Sequence, residues 1–323
     1  MLWDKRHDFY RQLRLPVQER HGIFKFDPGA VGLYPINRWT AARMLEPSSL
    51  EMRIVSDRPT QQWCDPTEWR RIATELAEKH SGEVAYLTDF VIDHRESEYG
   101  GNFCYTVTPC DYSEHLATLT YLREHHEVQA RIKEAFAGGR VADFARTSPP
   151  SLIKINVSVL NRDNRFLAIQ RSAAVETKKG LWTVGPNETM ILSKRPVPGR
   201  TAEDLFGLAE RCLREELGLE PRTCGPVRIS WIGYESTTAT VKVFAQVRTR
   251  LSGADVLEIM STAHGLFEAQ DAIWLPFNRR AVADIIRNWE QGDSARRRWS
   301  SSAPLALQEL WRMRRTLQMT SLT

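Results

Sequence analysis

Along residues 152–160 apolar and polar side chains alternate, with Ile153, Ile155, Val157 and Val159 on one side and Lys154, Asn156 and Ser158 on the other. That is the period of a β-strand. Asn161-Arg162-Asp163-Asn164 then supplies turn residues and 165–171 returns, which predicts a hairpin. Residues 180–188 read as a short strand running into a glycine turn. Farther on the period lengthens: Leu205, Leu208, Leu213 and Leu217 recur at helical spacing and Gly218 stops them, so an amphipathic helix ends there. Its start is placed near Thr201, where Thr-Ala-Glu-Asp resembles a capping box with Asp for the usual Glu. Strands are expected over 227–234, 239–247 and 272–275. Helices are expected over 254–260, 281–290 and 302–317, the last with Leu307, Leu310, Trp311 and Met313 or Leu317 inward.

The first half of the chain has its own pattern. A helix is expected over 1–14, anchored by Trp3, Phe9, Tyr10 and Leu13 before Pro16, followed by loops and short strands over 22–39. Strands are expected over 49–55, 83–92 and 102–108, and a helix over 66–79 with Trp69, Ile72 and Leu76 on one side. A single long helix is expected over 113–137, stopped by Gly138-Gly139. His94, His125 and His126 lack a paired spacing and a third ligand, and read as surface or helix-face histidines. Ser148-Pro149-Pro150-Ser151 cannot continue a helix and marks the best boundary. The organisation expected is an α+β domain over 1–148, a second domain over 151–291 and an Arg-rich helical extension over 292–323.

Composition adds bounds. With 323 residues, 42% hydrophobic and 26% charged, the chain is that of a two-domain globular protein. No apolar run approaches the roughly 20 residues of a membrane span, and the first residues are too polar for a signal peptide. A cytoplasmic protein with no membrane partner is expected. The five cysteines, at 64, 104, 110, 212 and 224, form no Cys-x-x-Cys pair and should be reduced thiols. The net charge of +4 is concentrated late, at Arg279, Arg280, Arg287, Arg296, Arg297, Arg298, Arg312, Arg314 and Arg315. No nucleic-acid motif accompanies them, so they read first as a solvated helical face.

The most ordered set of acids lies in Arg211-Cys212-Leu213-Arg214-Glu215-Glu216-Leu217-Gly218-Leu219. Residues three and four apart share a helix face, which puts Arg211 beside Glu215 and Cys212 beside both glutamates. Two carboxylates in a last turn oppose the helix dipole, at about 0.3–1 kcal/mol each when exposed. A cation would relieve them.

This stretch resembles the end of the Nudix box, Arg-Glu-U-x-Glu-Glu-x-Gly-U with U a bulky aliphatic residue, except that Cys212 stands at the first Glu. The order of features over about 151–291 is similar too: a hairpin ending in a basic residue, a Leu-Trp strand entering a Gly turn, the acidic helix, two strands, and Glu268-Ala269-Gln270-Asp271-Ala272-Ile273-Trp274-Leu275-Pro276-Phe277 before a helix. The resemblance implies an α+β protein whose C-terminal half is an α/β/α sandwich around a mixed sheet. It also implies hydrolysis of a phosphoanhydride in a nucleotide-type diphosphate, with Mg2+ or Mn2+ held by Glu215, Glu216 and Gly185. Arg211 would orient the acids, and Glu188 or Glu268 would be the base, with Asp271 next in line. Lys178, Lys179, Lys194, Arg195 and Arg200 flank the turn and could bind substrate phosphate. The strand 231–234 could offer an aromatic for a base to stack on.

The departures from the pattern carry weight. Glu203 does lie eight residues before Arg211, as in Gly-x5-Glu-x7-Arg, but Val197 occupies the glycine position and Gly185-Pro186 replaces a double glycine. A basic insertion over 190–200 separates turn from helix. Cys212 removes a central carboxylate, which should weaken magnesium binding, although Glu188 could reach the vacated space. Cys212 itself reads as a small buried helix residue, since only arginines near it would lower its pKa. A second reading follows: a degenerate module that binds a nucleotide or metabolite as a sensor or interaction domain, with a homodimer also open.

Overall fold

The computed structural model describes residues 33–39, 45–56, 63–93, 102–137, 149, 151–173, 179–192, 203–263, 269–290 and 298–319. Within them lie strands β1 (Leu33–Arg38), β2 (Leu50–Ile54), β3 (Glu83–Asp93), β4 (Asn102–Asp111), β5 (Ser151–Leu160), β6 (Arg165–Arg171), β7 (Trp182–Val184), β8 (Asn187–Thr189), β9 (Arg228–Glu235), β10 (Thr240–Arg248) and β11 (Ala269–Pro276). The helices are α1 (Pro66–Ala77), α2 (Tyr112–Glu124), α3 (His126–Ala137), α4 (Leu205–Leu217), α5 (Gly253–Met260), α6 (Arg279–Glu290) and α7 (Ala303–Met319). The protein is α+β with a mixed sheet in the order β1-β9-β10-β5-β3-β4-β2, β8 lying beside β5, and β6 joining β5, β7 and β11.

The centre of that sheet is β5. It runs parallel to β10 from Leu152↔Thr240 to Leu160↔Arg248 and takes β8 on its other edge. Because both faces are covered, nearly all of its residues are buried, as expected for a strand between two helical layers. Ile153, Ile155, Val157 and Val159 pack with Leu205, Leu208, Cys212, Leu213 and Leu217 of α4. On the other face Leu160, Trp231 and Phe244 pack with Leu307, Leu310, Met313 and Leu317 of α7. Strands from both sides of the Pro149-Pro150 segment share the sheet, β1 against β9 and β3 against β5. The core crosses with them, since Phe103, Tyr105 and Val107 belong to the cluster of Ile153 and Ile155.

Several expected elements are corrected. The hairpin of β5 and β6 pairs only at its base, Leu160↔Phe166; β5 is occupied by β8 and β10, so β6 turns to β11 and β7. The expected single helix over 113–137 is two helices. His125 leaves helical geometry at φ −118 and ψ 74 while its ring stacks on Tyr121 at 3.9 Å. The helix over 1–14 lies outside the described residues. Trp231 and Tyr234 are buried in opposite cores rather than offered to a ligand.

The C-terminal arginines are partly structural. Glu309 of α7 is fully buried between Arg38 (2.9 Å) and Arg312 (2.6 Å), and Arg312 also reaches the carbonyl of Trp39. Arg314 lies over the Trp311 ring at 4.3 Å, a cation–π contact. The buried carboxylate therefore clamps α7 to β1. Replacing Glu309 by Ala takes the buried carboxylate from between two largely buried guanidinium groups, and should lower unfolding free energy in urea by about 3 kcal/mol; a loss within a few tenths would show that the clamp does not hold α7.

Candidate active site

Asp204 begins the acidic helix. Its Oδ1 accepts from the N–H groups of Phe206 (2.9 Å) and Gly207 (2.8 Å), so α4 starts at Leu205 and not near Thr201, which lies outside the described residues. Asp204 takes the capping role because its shorter side chain reaches the first free N–H groups, and this leaves Glu203 available for another partner. At the far end Gly218 adopts φ 67, with its N–H on Arg214 O and that of Leu219 on Leu213 O, a glycine cap of the Schellman type. The helix thus presents Arg211, Glu215 and Glu216 at its rim while Cys212 and Leu213 face the core.

Arg211 is the hub. Its Nε and Nη2 donate to the two oxygens of Glu203 at 2.8 and 3.1 Å, a bidentate pair of the strong kind. Nη1 donates to Glu215 Oε2 at 3.2 Å and lies 3.4 Å from Glu188 Oε2. Nη2 also donates to the carbonyl of Thr189 at 2.7 Å. Burial works against the charge of this guanidinium, but hydrogen bonding to Glu203 and the charges of Glu203, Glu188 and Glu215 outweigh it and raise its pKa. It is therefore permanently charged and held from four sides.

Glu188 arrives by sheet pairing. β8 lies antiparallel to β5 with Ile155↔Glu188, directly above the strand that α4 packs on. The turn before it requires Gly185, whose φ is 76 and where a Cβ would stand 2.0 Å from Val157 O. Its carbonyl accepts from Thr183 Oγ1 at 3.1 Å, and Gly185 is buried. Arg171 braces the strand through Asn187 Oδ1 at 3.0 Å.

Cys212 lies in the middle, fully buried. Burial, followed by the charges of Glu188, Glu216 and Glu215, pushes its thiol well above the usual range against the opposing pull of Arg211. The charges of three carboxylates thus act on the position where the Nudix pattern has a fourth. Among the described residues, Glu188, Glu203 and Glu215 surround one guanidinium, and Glu216 follows Glu215 at the rim of α4.

The other expected residues fare differently. Lys179 is exposed in the turn before β7. Asp271 is exposed, with Oδ1 accepting from Ala272 N at 2.8 Å. Lys178, Lys194, Arg195, Arg200 and Glu268 lie outside the described residues. Glu203 had only its pattern spacing to recommend it, and the structure makes it the closest carboxylate partner of Arg211. A cavity of about 150 Å³ under the end of α4, lined by Glu210, Leu213, Leu219, Pro221 and Cys224, contains none of the four carboxylates.

A thiol buried and raised in this way cannot serve as a nucleophile. Cys212 should stay unmodified by iodoacetamide in the native protein at neutral pH and react only after denaturation. Peptide mapping that finds it alkylated in the folded chain would contradict its placement.

No family model and no curated protein matches this chain. Among solved structures it is similar to a Deinococcus radiodurans protein at 13% identity and TM-score 0.33, covering 49% of this chain and 81% of that one. It is similar to a NUDIX hydrolase from Alicyclobacillus acidocaldarius at 13% identity and TM-score 0.31, covering 49% and 90%. A MutT protein from Methanosarcina mazei is similar at 16% identity and TM-score 0.27, covering 45% and 96%. Over about half of its length, then, the chain is similar to Nudix and MutT hydrolases.

Proposed function

We propose that the protein is a divalent-metal-dependent hydrolase of the Nudix type, cleaving a phosphoanhydride in a nucleotide-type diphosphate. The observation that carries this reading is the set of ion pairs from Arg211 to Glu188, Glu203 and Glu215 at the rim of α4, beside buried Cys212, whose thiol the charges of Glu188, Glu216 and Glu215 help push up. The donor set suits magnesium or manganese: carboxylate oxygens are hard ligands, and the one soft ligand at the centre is kept as a thiol by burial. Glu215 and Glu216 would hold the ion, with Glu188 across from them. The bound ion would neutralise phosphate charge and acidify a water.

The chain's own residues divide the remaining work. Arg211 fixes the Glu188 and Glu215 carboxylates, so that they need not reorganise when substrate arrives. Glu188 sits at the edge of the patch, where it could take a proton from water. Lys179, and the basic residues of the 178–200 segment, are the proposed contacts for phosphate.

A second reading rests on Cys212 itself, which leaves the centre of the patch one carboxylate short. In that case the module binds a nucleotide or metabolite without cleaving it. Ligand-induced rises in melting temperature that survive chelator, with no product formed, would favour it.

On the hydrolase reading, a panel of nucleoside diphosphate derivatives with magnesium or manganese should yield nucleoside monophosphate. Glu216→Gln should then lower kcat by about 100-fold or more. Absence of turnover across the panel, or a Glu216→Gln variant as active as the parent, would overturn the assignment.

A further inference from the structure

Away from α4, the contact between α1 and α2 collects a second group of ligand atoms. Glu68 in the first turn of α1, Glu124 at the end of α2 and His125, which caps α2, place two carboxylate oxygens and an imidazole nitrogen within 4.8 Å of one another. His125 Nε2 is 3.3 Å from Glu68 Oε2. Atoms bound tetrahedrally at zinc's ~2.0–2.1 Å lie about 3.3 Å apart, so this pair already stands at the separation of two ligands on one ion. Glu124 is exposed and free to close the remaining gap.

What lifts this group above a chance surface pair is how the ring is held from outside it. His125 Nδ1 lies 3.0 Å from the carbonyl of Tyr121. A carbonyl only accepts, so the hydrogen there sits on Nδ1, and Nε2 is the nitrogen that faces Glu68. Ligating histidines are typically oriented by such a bond. The ring also stacks on Tyr121 at an interplanar angle of 9°. The Tyr121 hydroxyl in turn accepts from the backbone of Asp65 at 3.0 Å, and Asp65 is the residue that caps α1. The imidazole is thus positioned relative to Glu68 before any ion arrives. Charge points the same way, because Glu124 ends α2 where the dipole disfavours an anion, and Glu68 brings a second carboxylate close by. A divalent cation would answer both.

We propose that Glu68, Glu124 and His125 form a zinc-binding site that staples α1 to α2. One imidazole nitrogen among two carboxylates selects a transition-metal ion such as zinc over magnesium. Three protein ligands leave one position for water. The two helices it would join are already in contact, Trp69 Nε1 donating to Thr118 Oγ1 at 3.2 Å, so metal would tighten an existing contact rather than create one.

The test is calorimetric titration of zinc chloride into the full chain after chelator treatment. Zinc should bind at micromolar concentration or below, magnesium should not compete, and His125→Gln and Glu68→Gln should each weaken zinc binding at least about tenfold. Exposed Glu258→Gln on α5, which belongs to neither acidic group, should leave this binding intact, and any zinc held by the acids of α4 persists in the His125→Gln and Glu68→Gln variants, which keeps the outcome independent of the hydrolase reading. If either of the first two variants fails to fold, as judged by circular dichroism, exposed Glu124→Gln replaces it with the same expectation. Hydrogen exchange in the first turn of α1 should slow on adding zinc to the parent but not to the variants. Zinc binding that is absent, or unchanged by all three ligand substitutions, would overturn the proposal.

Discussion

A guanidinium tucked against a sheet keeps its charge only if acceptors take its donors, and Arg211 finds them in a carboxylate of β8, one just before α4, one on its own helix and one carbonyl. The dependence runs both ways. Without the arginine, Glu188, Glu203 and Glu215 would repel one another and would separate into water. With it, they stand close together at the edge of a rigid layer. Removing either side of such a network leaves unpaired charge in a partly buried place, which costs far more than an exposed ion pair contributes.

The scaffold explains why the hub can stay in place. β5 is buried on both faces, so α4 on one side and α7 on the other have no freedom to slide without opening the core. The Gly185 turn brings Pro186 within bonding distance of β5, Val157 N donating to its carbonyl at 3.0 Å, and so sets the height of Glu188 above α4. On the far face Glu309 and its two arginines hold α7 down. The acids are therefore presented by elements fixed through hydrophobic packing, while their own charges determine only the last few ångströms. Cys212 belongs to the packing rather than to the chemistry: it fills the α4 interface where a carboxylate would have faced the patch.

Much of this was legible along the chain. The stripe of leucines and Gly218 located the end of α4, and helical spacing paired Arg211 with Glu215, because both depend on local geometry alone. Glu188 was legible as a candidate but not as a neighbour, since its place follows from β8 pairing with β5. Glu203 sat at the pattern's spacing, yet its partner depended on Asp204 winning the cap. The break at His125 carried no proline or glycine to announce it, and both halves of 113–137 keep an apolar stripe. It coincides with the stacking of His125 on Tyr121, and there an isolated histidine becomes the neighbour of Glu68 on another helix.

The central claim is that the side chains around Arg211 form a cation site and not merely an ion-pair network. It is tested most directly by growing crystals with manganese and measuring anomalous scattering. The account predicts a peak at about 2.1 Å from carboxylate oxygens of Glu215 and Glu216, on the Cys212 side of α4 and facing Glu188. A map with no peak there, and with Arg211 still bonded to Glu188, Glu203 and Glu215, would contradict it.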